Sequence, residues 1–180
     1  MMKRNYIVLI LLALLFAAPG VTAYFYYQNP AWLSKATTNK GQLLRPPLLF
    51  AKEFDNKQKW RLMFWYPGDC DKTCLQVLDK LARTRLALGR RLYEVDECLL
   101  QHEGSSQLKN LRPYLQEQAI KVLAISQKTF EAFPFFGKTP KIVIANPEGY
   151  LVMSFKKEAL PKDIYHDLKQ LLNTTEKKSG

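Results

Sequence analysis

Cys70-Asp71-Lys72-Thr73-Cys74 is the segment of this sequence whose residue types and spacing are best suited to chemistry. It follows the apolar, aromatic-rich run Arg61-Leu62-Met63-Phe64-Trp65-Tyr66 and the breaker Pro67-Gly68-Asp69, so a buried strand is expected to end here and a helix to begin. One thiol then lies in the turn and the other in the first helical turn. Both meet the positive end of the helix dipole, which stabilises thiolates for nucleophilic attack or for binding a soft metal ion. Residues four apart in a helix have Cα atoms about 6 Å apart, within disulfide range, so cycling between dithiol and disulfide is geometrically possible. An inert structural disulfide and two unrelated core cysteines are the plainer readings of the same spacing.

Few other side chains compete with this pair. Cys98 sits at the end of a second expected strand and reads either as a small buried apolar residue or as a resolving or third metal-binding thiol. His102, in Gln101-His102-Glu103-Gly104-Ser105, is either a solvated loop histidine or a substitute ligand that swings in. His166 lies two positions from both Ile164 and Leu168, which puts it on the polar face of its helix in a structural role. The stripe Phe130, Phe133, Phe135 and Phe136 reads as core.

The elements needed to hold the cysteines follow from periodicity. Cys74, Leu78, Leu81 and Leu88, with Val77 and Ala82 beside them, share one helical face, and Gly89 supplies a stop. Arg91-Leu92-Tyr93-Glu94-Val95 reads as a second strand, Leu111–Gln118 as a short helix and Ala119–Ile125 as a third strand. Lys141–Ala145 and Tyr150–Phe155, joined by Asn146-Pro147-Glu148-Gly149, make a hairpin. Ile164, Leu168 and Leu171 mark a closing amphipathic helix after Pro161. A mixed sheet flanked by helices and ending in a hairpin is the arrangement of the thioredoxin fold, expected here over residues 48–172.

Before that domain the chain has a different character. Tyr6–Tyr27 is an uncharged apolar run of 22 residues, and about 20 suffice to span a bilayer. Lys3 and Arg4 favour a cytoplasmic N-terminus, and Tyr24-Phe25-Tyr26-Tyr27 suits the far headgroup boundary. Residues 1–27 are therefore read as a retained membrane anchor; the competing reading is a signal peptide cleaved after Val21-Thr22-Ala23. Either way the domain is exported, where disulfides persist. Residues 28–47, bracketed by Pro30, Pro46 and Pro47, read as a tether, and 173–180 as a fraying tail.

Composition agrees with one globular domain plus appendages. Of the 180 residues, 47% are hydrophobic and 24% charged, which excludes a disordered chain, a collagen-like repeat and a disulfide-dense miniprotein. The net charge of +11 is concentrated early, because residues 1–52 carry six basic and no acidic side chains. No dense Lys/Arg run interleaved with aromatics exists, so nucleic acid is not an expected partner.

Residues 61–74 resemble the aromatic strand and CxxxC of the Sco/SenC proteins, and Asn146-Pro147-Glu148-Gly149 resembles their late hairpin turn. The chain is more similar still to the small membrane-anchored Sco-like proteins of bacterial cytochrome oxidase gene clusters, through Asn39-Lys40-Gly41-Gln42-Leu43-Leu44-Arg45-Pro46-Pro47 and Ala87-Leu88-Gly89. The resemblance implies a thioredoxin-fold domain tethered to the bacterial inner membrane and facing the periplasm. Its implied work is cytochrome c oxidase assembly, by Cu(I) delivery or by reduction of copper-receiving thiols, with Cys70 and Cys74 as the redox or copper-binding pair. The implied partner is an oxidase subunit or another exported thiol protein. Two alternatives stay open: a general exported thiol–disulfide oxidoreductase, and an oxidase-associated adaptor that no longer uses its cysteines.

One departure from that family stands out. Lys138 occupies the place of its copper-ligating histidine, which leaves two sulfurs suited to Cu(I) and no imidazole suited to Cu(II). A lysine beside a dithiol would instead depress thiol pKa and favour exchange chemistry. Thr139-Pro140, just before a strand, resembles the cis-proline loop that faces the cysteines in thioredoxins.

Overall fold

The computed structural model describes residues 2–29, 38–50, 59–103 and 108–179, in two units divided between Thr38 and Asn39. The first unit is a single helix, α1 (Met2–Gln28), with exposed side chains from Asn5 onward. Its Asn5–Gln28 stretch is long and apolar enough to cross a membrane. Pro19 removes one backbone donor inside α1, and the Thr22 hydroxyl donates to the Ala18 carbonyl beside it.

The second unit is built on one six-stranded sheet. Its strands are β1 (Gln42–Leu49), β2 (Trp60–Trp65), β3 (Val95–His102), β4 (Ile120–Ile125), β5 (Lys141–Ala145) and β6 (Tyr150–Lys156), in the order β1-β6-β5-β2-β3-β4. The helices are α2 (Lys72–Leu86), α3 (Leu108–Glu117), α4 (Gln127–Ala132) and α5 (Pro161–Ser179). β2, β3 and β4 run parallel through the crossovers α2 and α3, whereas β5, β6 and β1 pair antiparallel. Alternation along β2 divides the core. Leu62 and Phe64 face a cluster built with α2, α3 and α5, while Met63 and Trp65 face one covered by Phe136 and the partly buried Phe130, Phe133 and Phe135. The fold class and the core role of the phenylalanine stripe are as the sequence indicates.

Three expectations are corrected. The stretch read as tether contains β1, and the domain begins at Asn39 rather than at residue 48. Arg91-Leu92-Tyr93-Glu94 is not a strand; it belongs to a 3-10 helix, Gly89–Glu94, and β3 begins only at Val95. The tail expected to fray carries α5 on to Ser179, and Asn173 accepts a hydrogen bond from Arg91.

β1 is secured at its start by the buried Asp167 of α5, whose Oδ2 accepts from the backbone N–H groups of Lys40 (2.8 Å) and Gly41 (2.7 Å). The neighbouring His166 donates from Nδ1 to Asp167 Oδ1 at 2.9 Å, the structural role expected of it. Gly41 has no room for a side chain, because a Cβ there would stand 2.6 Å from the Phe155 ring.

Ala119 holds a φ of 54° where α3 turns into β4, a region that L-residues other than Gly, Asn and Asp seldom adopt. Relieving it should stabilise the fold: Ala119→Gly is expected to raise the urea midpoint by an amount worth about 1 kcal/mol, without changing the m-value. A lower midpoint would show that the position is not strained.

Candidate functional site

The cysteines are positioned by the junction of β2 and α2. β2 is buried along its whole length between β3 and β5, and Tyr66 continues the pairing through its N–H to the Leu100 carbonyl. The chain then turns through residues 67–71. Gln101 of β3 fixes this turn by donating from Nε2 to the Gly68 carbonyl at 3.1 Å. Asp71 caps α2, its Oδ1 accepting from the Cys74 N–H at 2.9 Å, an arrangement that satisfies one of the free donors of a helix start. α2 buries Cys74, Val77, Leu78, Leu81 and Ala82, the face read from the sequence, and places Arg83 and Arg85 in its last turn, where cations complement the dipole.

Cys70 and Cys74 form a disulfide with Cα atoms 5.2 Å apart. Both are buried, Cys70 at 3% exposure and Cys74 at 0%, so a partner reaches the bond only when the turn over it gives way. The Tyr66 ring packs 5.7 Å from Phe64 and lies 3.9 Å from the Cβ position of Gly68. The Cys74 N–H first, and the Tyr66 hydroxyl after it, bond the exposed Asp71 carboxylate and hold its pKa below the ordinary value. Tyr66 and Asp71 therefore belong to the site. The signal for Asp71 was an aspartate three residues before Cys74, the spacing of a helix cap.

The supporting candidates are placed less favourably. Lys138 is exposed on the loop entering β5 and makes no hydrogen bond or ion pair to the described residues. The Thr139–Pro140 bond is not cis, so the cis-proline expectation is corrected; among the described residues the cis bond is Arg45–Pro46. Cys98 and His102 lie on the far face of the sheet from the disulfide. Cys98 sits in the cluster with Met63 and Trp65, and the His102 ring packs 5.2 Å from Trp65 and 4.4 Å from Phe130. Neither can close on Cys70 or Cys74 with the sheet between, which corrects the readings of a third thiol and a substitute ligand.

Burial pushes the Cys98 thiol up to about 12, Asp96 adds to this, and Arg61 and Lys121 offset part of it. The reduced native protein is accordingly expected to lose two thiols to iodoacetamide, at Cys70 and Cys74, while Cys98 reacts only after unfolding. Mass spectrometry of the alkylated peptides checks this; native labelling of Cys98 would contradict the burial.

A mixed sheet with a dithiol–disulfide pair at the start of its first crossover helix defines a thioredoxin-fold protein. The chain belongs to the transmembrane-like, thioredoxin-like C-terminal domain family, whose model matches residues 60–175. No curated protein matches the sequence. Among solved structures, the copper-bound ScoI of Arabidopsis thaliana is 13% identical at a TM-score of 0.53, over 74% of this chain and 98% of that one. The copper-bound ScoI of Bradyrhizobium japonicum is 15% identical at 0.50, over 72% and 98%. A yeast mitochondrial 1-Cys peroxiredoxin is 12% identical at 0.50, over 67% of each chain. At such identities the likeness is one of fold.

The copper in those two ScoI structures sets a test for the donors present here. Among the described residues no group of three or more His, Cys, Asp or Glu side chains comes together as metal ligands. The donor set stops at two sulfurs, and Lys138 adds no imidazole, so the site does not fit a sulfur–imidazole copper centre.

Proposed function

We propose that this protein is a membrane-anchored thiol–disulfide oxidoreductase, held by α1 with Lys3 and Arg4 on the cytoplasmic side and the domain in the periplasm. Its client is an exported thiol protein, and the resemblance to Sco-like proteins of oxidase gene clusters makes a cytochrome c oxidase subunit the first choice. The observation carrying this reading is the Cys70–Cys74 disulfide at the start of α2, on a sheet that holds no other thiol on that face among the described residues. In the reducing direction the Cys70 Sγ attacks one sulfur of a client disulfide and expels the other as a thiolate. The Cys74 Sγ then attacks Cys70, which releases the second client thiolate and closes the Cys70–Cys74 bond. Two electrons pass to the client, whose thiolates take up protons from solvent. The reduced pair also offers Cu(I) two soft donors, as cargo for the same client.

The test is equilibration of the full chain in detergent with glutathione buffers, followed by trapping of free thiols. Wild type should interconvert reversibly by two thiols, and Cys70→Ser or Cys74→Ser should abolish this, together with reduction of an oxidised oxidase copper-site segment. A bond that stays closed across the whole buffer range would overturn the proposal, and unimpaired oxidase assembly in cells carrying the double serine variant would favour the adaptor.

A further inference from the structure

The carboxylate bound to the start of α2 bears on the direction in which the disulfide runs. The positive end of a helix dipole stabilises a thiolate, and a stabilised thiolate makes the reduced pair persistent and the protein an oxidant. Here that end is already occupied by a fixed anion. Asp71 Oδ1 lies 2.9 Å from the Cys74 nitrogen, and the Tyr66 hydroxyl bonds the same carboxylate. The residue adjoins Cys70 in sequence, and its cap bond is to the other cysteine. A like charge so near disfavours the charged form of both sulfurs.

We infer that Asp71 is a positioning residue for electron transfer: bound to the Cys74 N–H and to Tyr66, it uses up the helix start that would otherwise stabilise a thiolate, and so biases the Cys70–Cys74 couple toward giving electrons to its client. The inference rests on the exchange activity proposed above and adds its direction. Asp69 and Lys72 stand in the same exposed turn as Asp71 and carry opposite charges.

Asp71→Asn separates charge from structure, since asparagine caps a helix as well as aspartate does. With the full chain in detergent, the variant should keep the wild-type melting temperature. Its lower thiol pKa, read from the pH dependence of iodoacetamide labelling, should fall by about one unit. In glutathione buffer at about pH 8 the dithiol should be favoured about threefold more than in wild type, which is about 15 mV for a two-electron couple. Asp69→Asn, which removes an equal charge from the same turn without touching the cap, should shift the equilibrium less. An Asp71→Asn couple that is reversible but unmoved, or moved toward the disulfide, overturns the inference and leaves the exchange activity standing. So does an equal shift in Asp69→Asn. If wild type itself fails to interconvert in glutathione, the activity falls, and this inference falls with it.

Discussion

Glu97→Leu is expected to make the protein more stable, by roughly 4 kcal/mol at about pH 8, and to flatten its stability between about pH 5 and pH 8. Glu97 sits in β3, wholly buried, and neither carboxylate oxygen has a hydrogen-bond partner among the described residues. Burial raises its pKa from 4.5 to about 8; the Arg85 guanidinium offsets a part and the Asp79 carboxylate adds to it. The folded state thus retains a proton that the unfolded chain releases. The stability this proton confers is fully present below the unfolded pKa and is lost as pH rises through the folded value. A leucine has no charge to bury, and its flanking partners in the sheet, Leu62 and Ile120, are apolar. Melting curves across pH decide the matter, with a gain of roughly 10 °C expected at the alkaline end. A variant less stable than wild type at about pH 8, or one with the same pH slope, would show that Glu97 has polar partners.

Asp167→Ala should cost about 4 kcal/mol, because it removes the shared acceptor of two backbone donors at once and leaves the side chain's place in the core empty. The loss has a local signature. With the Lys40 and Gly41 N–H groups released, β1 should detach at its start, and trypsin should cut after Lys40 in the folded variant but not in wild type. Gly41→Ala attacks the same junction by crowding the Phe155 ring and should show the same cleavage. Wild-type resistance to trypsin in both variants, with unfolding midpoints unchanged, would mean that the clamp does not hold β1.

Legibility of this fold in its sequence followed hydrophobic periodicity and failed where polar residues interrupt it. The strand before the cysteines, the face of α2, the terminal hairpin and α5 all present apolar residues at the period of their element. β3 does not, since Asp96, Glu97 and Gln101 break its pattern. Asp96 is tolerated because Lys59 and Lys121 reach it at 3.5 and 2.7 Å, partners invisible in the sequence. β1 was hidden by Pro46 and Pro47, which signal a loop in isolation yet are accommodated at a sheet edge. The cysteine pair was legible from spacing and context. The Asp71 cap was signalled by its spacing from Cys74, whereas the Tyr66 contact was not, because it depends on how the turn closes.

The two borders of the sheet differ in their capacity for self-assembly. β1 is irregular, its pairing with β6 jumping from Leu43 opposite Met153 to Leu48 opposite Leu151, and two of its residues lack an N–H. Such a border is a poor template for another chain. β4 is the opposite case. Its six residues are regular, no strand among those described lies beyond it, and Val122 and Ala124 are exposed. The lysine that would guard it, Lys121, is drawn onto Asp96. Of the two borders, Ile120–Ile125 is therefore the better template for an added strand.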